Sequence, residues 1–241
     1  MIFLCFSGRD RMTIVQSVLY NLKQYGINLW YDNYQYILGD NKIIGYEKAI
    51  RTSKYAIVII GLDFENSHGA LEELAIIKQQ YIKKEMHIFP IFYNRKASSL
   101  PSQYQWLSDL IYNELDTSTG SLLTCNQILC KILEDYIDNK KYDSIETLIK
   151  ENKICSAYLV KLIELYAKIV PENYNARICI LQCIIIYIKE KIELPKIIRY
   201  SLRRFIDITS LGLSYNFKEE IILKYMACIS INLFINNSNF P

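Results

Sequence analysis

The feature that most constrains this chain is a change of hydrophobic period along it. Through residue 94, short apolar runs alternate with stretches of helical spacing; from about residue 139 onward only helical spacing remains. IFLCFS (2–7) ends in Ser-Gly and predicts a buried strand. RMTIVQSVLYNLKQYG (11–26) repeats apolar residues at 15, 18, 19 and 22 and stops at Gly26, which predicts a helix. INLWYD (27–32) reads as a second strand, KIIGYEKAIRTS (42–53) as a helix, and YAIVIIG (55–61) as a third strand. A helix is predicted from the SHGALEEL block (67–74) to about Lys84, with MHIFPIFYN (86–94) a fourth strand. This alternation predicts a parallel sheet flanked by helices, with ligands beyond the carboxyl ends of its strands. The segments expected there are 7–11, 32–41, 61–72 and 93–103, and a helix over about 121–138 closes the domain.

Residues 139–241 read as an all-α second domain of five amphipathic segments, with Pro171 and Pro195 near helix starts, where a missing N–H costs little. Charge shifts at the same place. Residues 1–138 hold 13 Lys/Arg against 15 Asp/Glu, a net of −2, and residues 139–241 hold 15 against 10, a net of +5. Neither an internal repeat nor a low-complexity linker separates the two parts.

Several function classes are disfavoured by what the chain lacks. CFSGRD sits where a phosphate loop would, but it has a single glycine and matches neither nucleotide-loop pattern. No GxSxG elbow is present, and the two histidines, His68 and His87, offer few bases; His87 is expected to be buried in its strand. The seven cysteines are single, odd in number and without a CxxC, so they are expected to be reduced core thiols, with no metal site. Arg199, Arg203 and Arg204 are spaced for one helix face, but no basic cluster interleaved with aromatics marks a nucleic-acid surface. MIFLCFSG opens without a basic leader and no apolar run nears about 20 residues, so a cytoplasmic chain without a membrane partner is expected.

Glu72 and Glu73 interrupt an otherwise apolar helix. At about 100° per residue, Ala70, Leu74, Ile77 and Tyr81 make one stripe, with Glu72 on the far side and Glu73 at the stripe's border. Glu73 thus belongs near the core, in an early turn, beside the sheet's carboxyl edge. Acidic residues also favour first turns by about 0.3–1 kcal/mol, so helix geometry alone leaves both a structural and a catalytic reading open.

The order FLCFSGRD, LWYD, LGD, AIRTS, AIVIIG, then Ser67 with EEL, then FPIFY resembles the Toll/interleukin-1 receptor (TIR) domain over about residues 1–138. The resemblance implies a flavodoxin-like parallel sheet and places the family's glutamate, six residues after the serine, at Glu73. It implies an NAD+ nucleosidase in bacterial antiviral defence, with ADP-ribose cyclisation open to the same intermediate and NAD+ as substrate rather than cofactor. Trp30 takes the position of an aromatic set against substrate. Ser7, Gly8, Arg9 and Asp10 would line the mouth, Arg9 as a phosphate partner, with Asp32, Ser67 and His68 also in the site. The family often carries an aromatic four residues before the glutamate; here that position is Gly69. The other reading is a non-enzymatic TIR–TIR adaptor. Related TIR enzymes assemble through the loop after the second strand, here Tyr34, Tyr36, Ile37, Leu38, Gly39 and Asp40. Self-association through this loop and the helical tail is therefore expected, with a defence-system protein as a further partner.

Overall fold

The computed structural model describes residues 1–31, 39, 41–154 and 156–238. Two compact units are present: residues 1–23 with 27–125, and residues 24–26 with 126–241.

The first unit is built on five parallel strands: β1 (Ile2–Phe6), β2 (Leu29–Trp30), β3 (Tyr55–Ile60), β4 (His87–Tyr93) and β5 (Asn113–Leu115). Their order, β2-β1-β3-β4-β5, is the flavodoxin-like arrangement. Its helices are α1 (Gln16–Gln24), α2 (Lys42–Thr52) and α3 (His68–Ile82). β1 and β3 are buried along their whole lengths, which is why they read as unbroken apolar runs. Register sets Phe3 beside Ala56, Ala56 beside Ile88, and Cys5 beside Val58. These side chains share one core with Tyr46, Ala49 and Ile50 of α2 and Ala70, Leu74 and Ile77 of α3.

Several boundaries differ from expectation. The second strand shrinks to two residues. The helix expected over 11–26 opens with a π-helical turn, Arg11–Val15, kinked at Thr13. β5, three residues long, is too short for a period to register in sequence. His87 is exposed rather than buried, because it is the first residue of β4; its ring packs against Tyr55 and Phe89. In α3 the stripe turns onto Gln80, which is buried, while Tyr81 is exposed and stacks on Trp106 at 5.7 Å.

The expected closing helix is α4 (Leu122–Lys140), but the units divide at 125/126 rather than at 138/139. Its first turn belongs to the first unit, where the Ser121 hydroxyl pairs with that of Ser17 at 2.7 Å and the Asn21 amide donates to it at 3.0 Å. From Asn126, whose side chain accepts from the Tyr25 hydroxyl, the helix groups with the second unit. That unit adds α5 (Ile145–Lys150), α6 (Ala157–Lys168), α7 (Tyr174–Lys189), α8 (Lys196–Ser210) and α9 (Phe217–Ser238), one for each predicted segment. Ser144, Ser156 and Asn173 cap α5, α6 and α7 by accepting backbone N–H groups. Cys179 and Cys183 are exposed on α7 rather than in the core; Cys5, Cys125 and Cys228 are buried as expected. Among the described residues no helix is long and apolar enough to cross a membrane.

Candidate active site

The carboxyl ends of β1 and β2 and the first turns of α2 and α3 converge on a pocket of about 170 Å³. It is lined by Leu4, Phe6, Gly8, Arg11, Trp30, Lys42, Ser67, Gly69, Ala70 and Glu73. Each part of the lining follows from local structure. β1 ends at Phe6, and the Ser7 hydroxyl caps the 3-10 turn Gly8–Asp10 by accepting from the Arg9 N–H at 3.4 Å. Trp30, only 8% exposed, ends β2 and stacks on Phe3 at 4.7 Å. Asn41 caps α2 by accepting from the Ile44 N–H at 3.1 Å, which places Lys42 in the helix's first turn.

The two neighbouring glutamates have separate surroundings. The Glu72 carboxylate accepts from the Tyr46 hydroxyl at 2.9 Å and lies 3.2 Å from His68 Nδ1. Burial, and then the bond to Glu72, push the Tyr46 phenol up to about 12. Glu73 is half-buried, lines the pocket, and faces the thiol of Cys5. Cys5 Sγ donates to the Ala70 carbonyl at 3.5 Å. Burial pushes the Cys5 thiol well up, and the Glu73 charge adds to that, so Cys5 stays protonated at neutral pH and is no thiolate nucleophile.

Of the residues anticipated in the site, the pocket brings together Gly8, Trp30, Ser67 and Glu73. Ser7 is buried beneath the turn it caps. Arg9 points to solvent and pairs with Asp63 at 2.7 Å, outside the lining. His68 is also outside it, with its side chain 89% exposed. Asp10 lies buried against Gly61, where an added Cβ would stand 2.5 Å from a carboxylate oxygen; only glycine permits this approach. Burial, with the Asp63 charge second, pushes the Asp10 carboxyl up. Asp32, Tyr34, Tyr36, Ile37, Leu38 and Asp40 lie outside the described residues; Gly39 has φ +100°, a backbone that favours glycine.

Two lining cations were not anticipated, Arg11 and Lys42. Arg11 donates to the Tyr31 hydroxyl at 2.9 Å, and its guanidinium lies 5.1 Å and 5.3 Å from the ring centroids of Phe6 and Tyr31. The sequence signals were slight: Arg11 stands one residue beyond SGRD, and Lys42 two beyond LGD. Among the described residues the lining offers one carboxylate, two cations and an aromatic wall, a set suited to a cationic reacting centre attached to an anionic group.

A flavodoxin-like sheet with a carboxylate at its carboxyl edge defines the class of the first unit. Residues 2–120 match the family model for the TIR domain, and this part of the chain is a TIR domain. Curated relatives agree at low identity. The chain is 25% identical over 121 residues to the 2′ cyclic ADP-D-ribose synthase AbTIR of Acinetobacter baumannii, covering 50% of this chain and 44% of that protein. It is 25% identical over 130 residues to the NAD(+) hydrolase TcpA of a Theionarchaea archaeon, covering 53% and 38%. It is 26% identical over 131 residues to the NAD(+) hydrolase TcpC of Escherichia coli, covering 54% and 42%. The chain thus spans less than half the length of these relatives.

Proposed function

We propose that this chain is an NAD+ nucleosidase in which Glu73 is the catalytic residue. The observation that carries the reading is that, among the described residues, Glu73 is the single carboxylate in a lining that also holds Trp30, Arg11 and Lys42. The names of the similar TIR proteins support it.

The chemistry needs few groups. As the ribose C1′–nitrogen bond breaks, its electron pair goes to the pyridinium nitrogen and nicotinamide leaves neutral, so no general acid is required. Positive charge develops on the ribose as an oxocarbenium, which a fixed carboxylate stabilises electrostatically. Water attacking C1′ gives ADP-ribose and a proton. An internal nucleophile of the same ADP-ribosyl group gives a cyclic product instead. NAD+ is the substrate in this scheme, and no cofactor enters it.

The proposal includes assembly and setting. Activity depends on self-association through the loop that contains Gly39, and the helical unit serves association or sensing in bacterial antiviral defence. Specific activity should therefore rise steeply with protein concentration and then plateau. A flat line over a thousandfold range, with a monomeric active species, refutes the assembly part. One observation favours the second reading, a TIR–TIR adaptor: Gly69 leaves the pocket without an aromatic four residues before Glu73. Incubation of the full chain with NAD+, followed by measurement of nicotinamide, separates the two. Release that depends on Glu73 supports the enzyme, and none at any concentration supports the adaptor.

A further inference from the structure

A cavity of about 400 Å³ lies in the helical unit, between the end of α7 and one face of α8. Its lining is Lys189, Arg199, Tyr200, Leu202, Arg203 and Ile206. Arg199, Arg203 and Ile206 follow the i, i+4, i+7 spacing of one helix face, and Leu202, 2% exposed, joins that wall to the core. Lys189 comes from the last turn of α7. Arg204, expected from sequence on the same face as the other two arginines, is outside the lining; its guanidinium lies 5.0 Å from the Tyr25 ring centroid. Tyr200 is 48% exposed, and the Lys196 ammonium lies 5.5 Å from its ring centroid. A Cβ on Gly26, at φ +69°, would stand 3.2 Å from Tyr200 Cβ and 3.1 Å from the Lys196 carbonyl oxygen, so glycine lets the chain pack closely against the start of α8.

Among the described residues the lining holds three cations and no carboxylate. Glu193 reaches Arg199 from outside it at 3.4 Å, a pair exposed on both sides and therefore weak. Like charges around a small cavity repel one another, and a bound anion relieves that repulsion. The volume suits a small molecule. A nucleic-acid strand needs a basic track several nucleotides long, whereas these cations surround one cavity. The exposed ring beside them gives a planar base a face to stack on, and Leu202 and Ile206 add apolar surface. We propose that this cavity is a nucleoside-phosphate site of the helical unit, in which Lys189, Arg199 and Arg203 hold the phosphate and Tyr200 holds the base. The site does not depend on the NAD+ reading of the Glu73 pocket.

The test is calorimetric titration of the full chain with AMP, ribose 5-phosphate and adenosine. AMP should bind about tenfold more tightly than ribose 5-phosphate, the effect of one stacked base, and adenosine, which lacks the phosphate, should not bind. Arg203→Ala and Lys189→Ala should each weaken AMP binding about tenfold, the effect of one charge-assisted hydrogen bond. Tyr200→Ala should bring AMP down to the affinity of ribose 5-phosphate, while Tyr200→Phe, which keeps the ring, should stay within about threefold of wild type. Lys161→Ala removes an exposed charge from α6 and should leave binding unchanged. No AMP binding by wild type, or equal affinity of wild type and Arg203→Ala, overturns the proposal. So does an oligonucleotide whose affinity grows with its length and which AMP does not displace. A chain that binds AMP through Arg203 yet releases no nicotinamide keeps the site and removes the nucleosidase reading.

Discussion

The two units use polar side chains in opposite ways. In the first, the sheet core is apolar and a polar pocket of Glu73, Arg11 and Lys42 lies at its carboxyl edge. In the second, polar groups are buried between helices. Glu220 of α9 accepts from the Tyr166 hydroxyl of α6 at 2.6 Å and from Arg177 Nε of α7 at 2.7 Å. Arg177 also donates to the carbonyls of Tyr166 and Ile169 at the end of α6, at 3.3 and 3.2 Å, and lies 4.0 Å from the Tyr166 ring centroid. Asn232 likewise donates to the carbonyls of Asp143 and Cys228, both at 2.9 Å. A parallel sheet satisfies its backbone internally and holds its register by strand pairing. Amphipathic helices slide more easily past one another, and such satisfied networks fix which faces meet. Under the proposed function, the charges have different roles in the two units: structure in the helical one, and, at Glu73, chemistry at the sheet edge.

The largest expected effect on stability tests the helical side of that comparison. Glu220→Ala leaves the Arg177 charge and the Tyr166 hydroxyl without their shared acceptor, and should cost about 3–5 kcal/mol in urea denaturation of the full chain. The molecules that remain folded should release nicotinamide at the wild-type rate. Lost activity with unchanged stability would make this network functional and break the comparison.

A smaller effect, of opposite sign, is expected at Asp10. Its folded carboxyl is raised by burial and by Asp63. A raised group contributes stability that is present below its unfolded value, near 3.9, and is lost as pH rises through the folded value. Asp10→Asn carries no charge at any pH, so it should melt above wild type at pH 7, with the gap closing as pH falls towards 4. A gap that widens on acidification would mean that the Asp10 carboxylate is favourably paired.

What the sequence made legible follows the same division. Apolar runs and helical spacing located β1, β3, β4 and all five tail helices, because burial writes a period into the chain. β5 escaped because three residues show no period, and β2 was overdrawn because INLWYD stays apolar beyond its two paired residues. Glu73 was legible from its place beside the stripe, and Trp30 from the LWYD block. Arg11 and Lys42 were not, since a cation enters a site through the convergence of separate loops, which no spacing along one element records. Arg9, which lies within the motif, is instead solvent-exposed and paired with Asp63.

The account turns on whether Glu73 is chemistry or architecture. The direct measurement is nicotinamide release from NAD+ by the full chain, wild type against Glu73→Gln, at protein concentrations high enough for assembly. The substitution keeps size and hydrogen bonding and removes the charge, so a loss of at least about 100-fold is predicted, the effect of removing one electrostatic stabiliser. Glu72→Gln, which alters the Tyr46 and His68 contacts, should change release little. Equal release by wild type and Glu73→Gln, with both folded, would contradict the central claim.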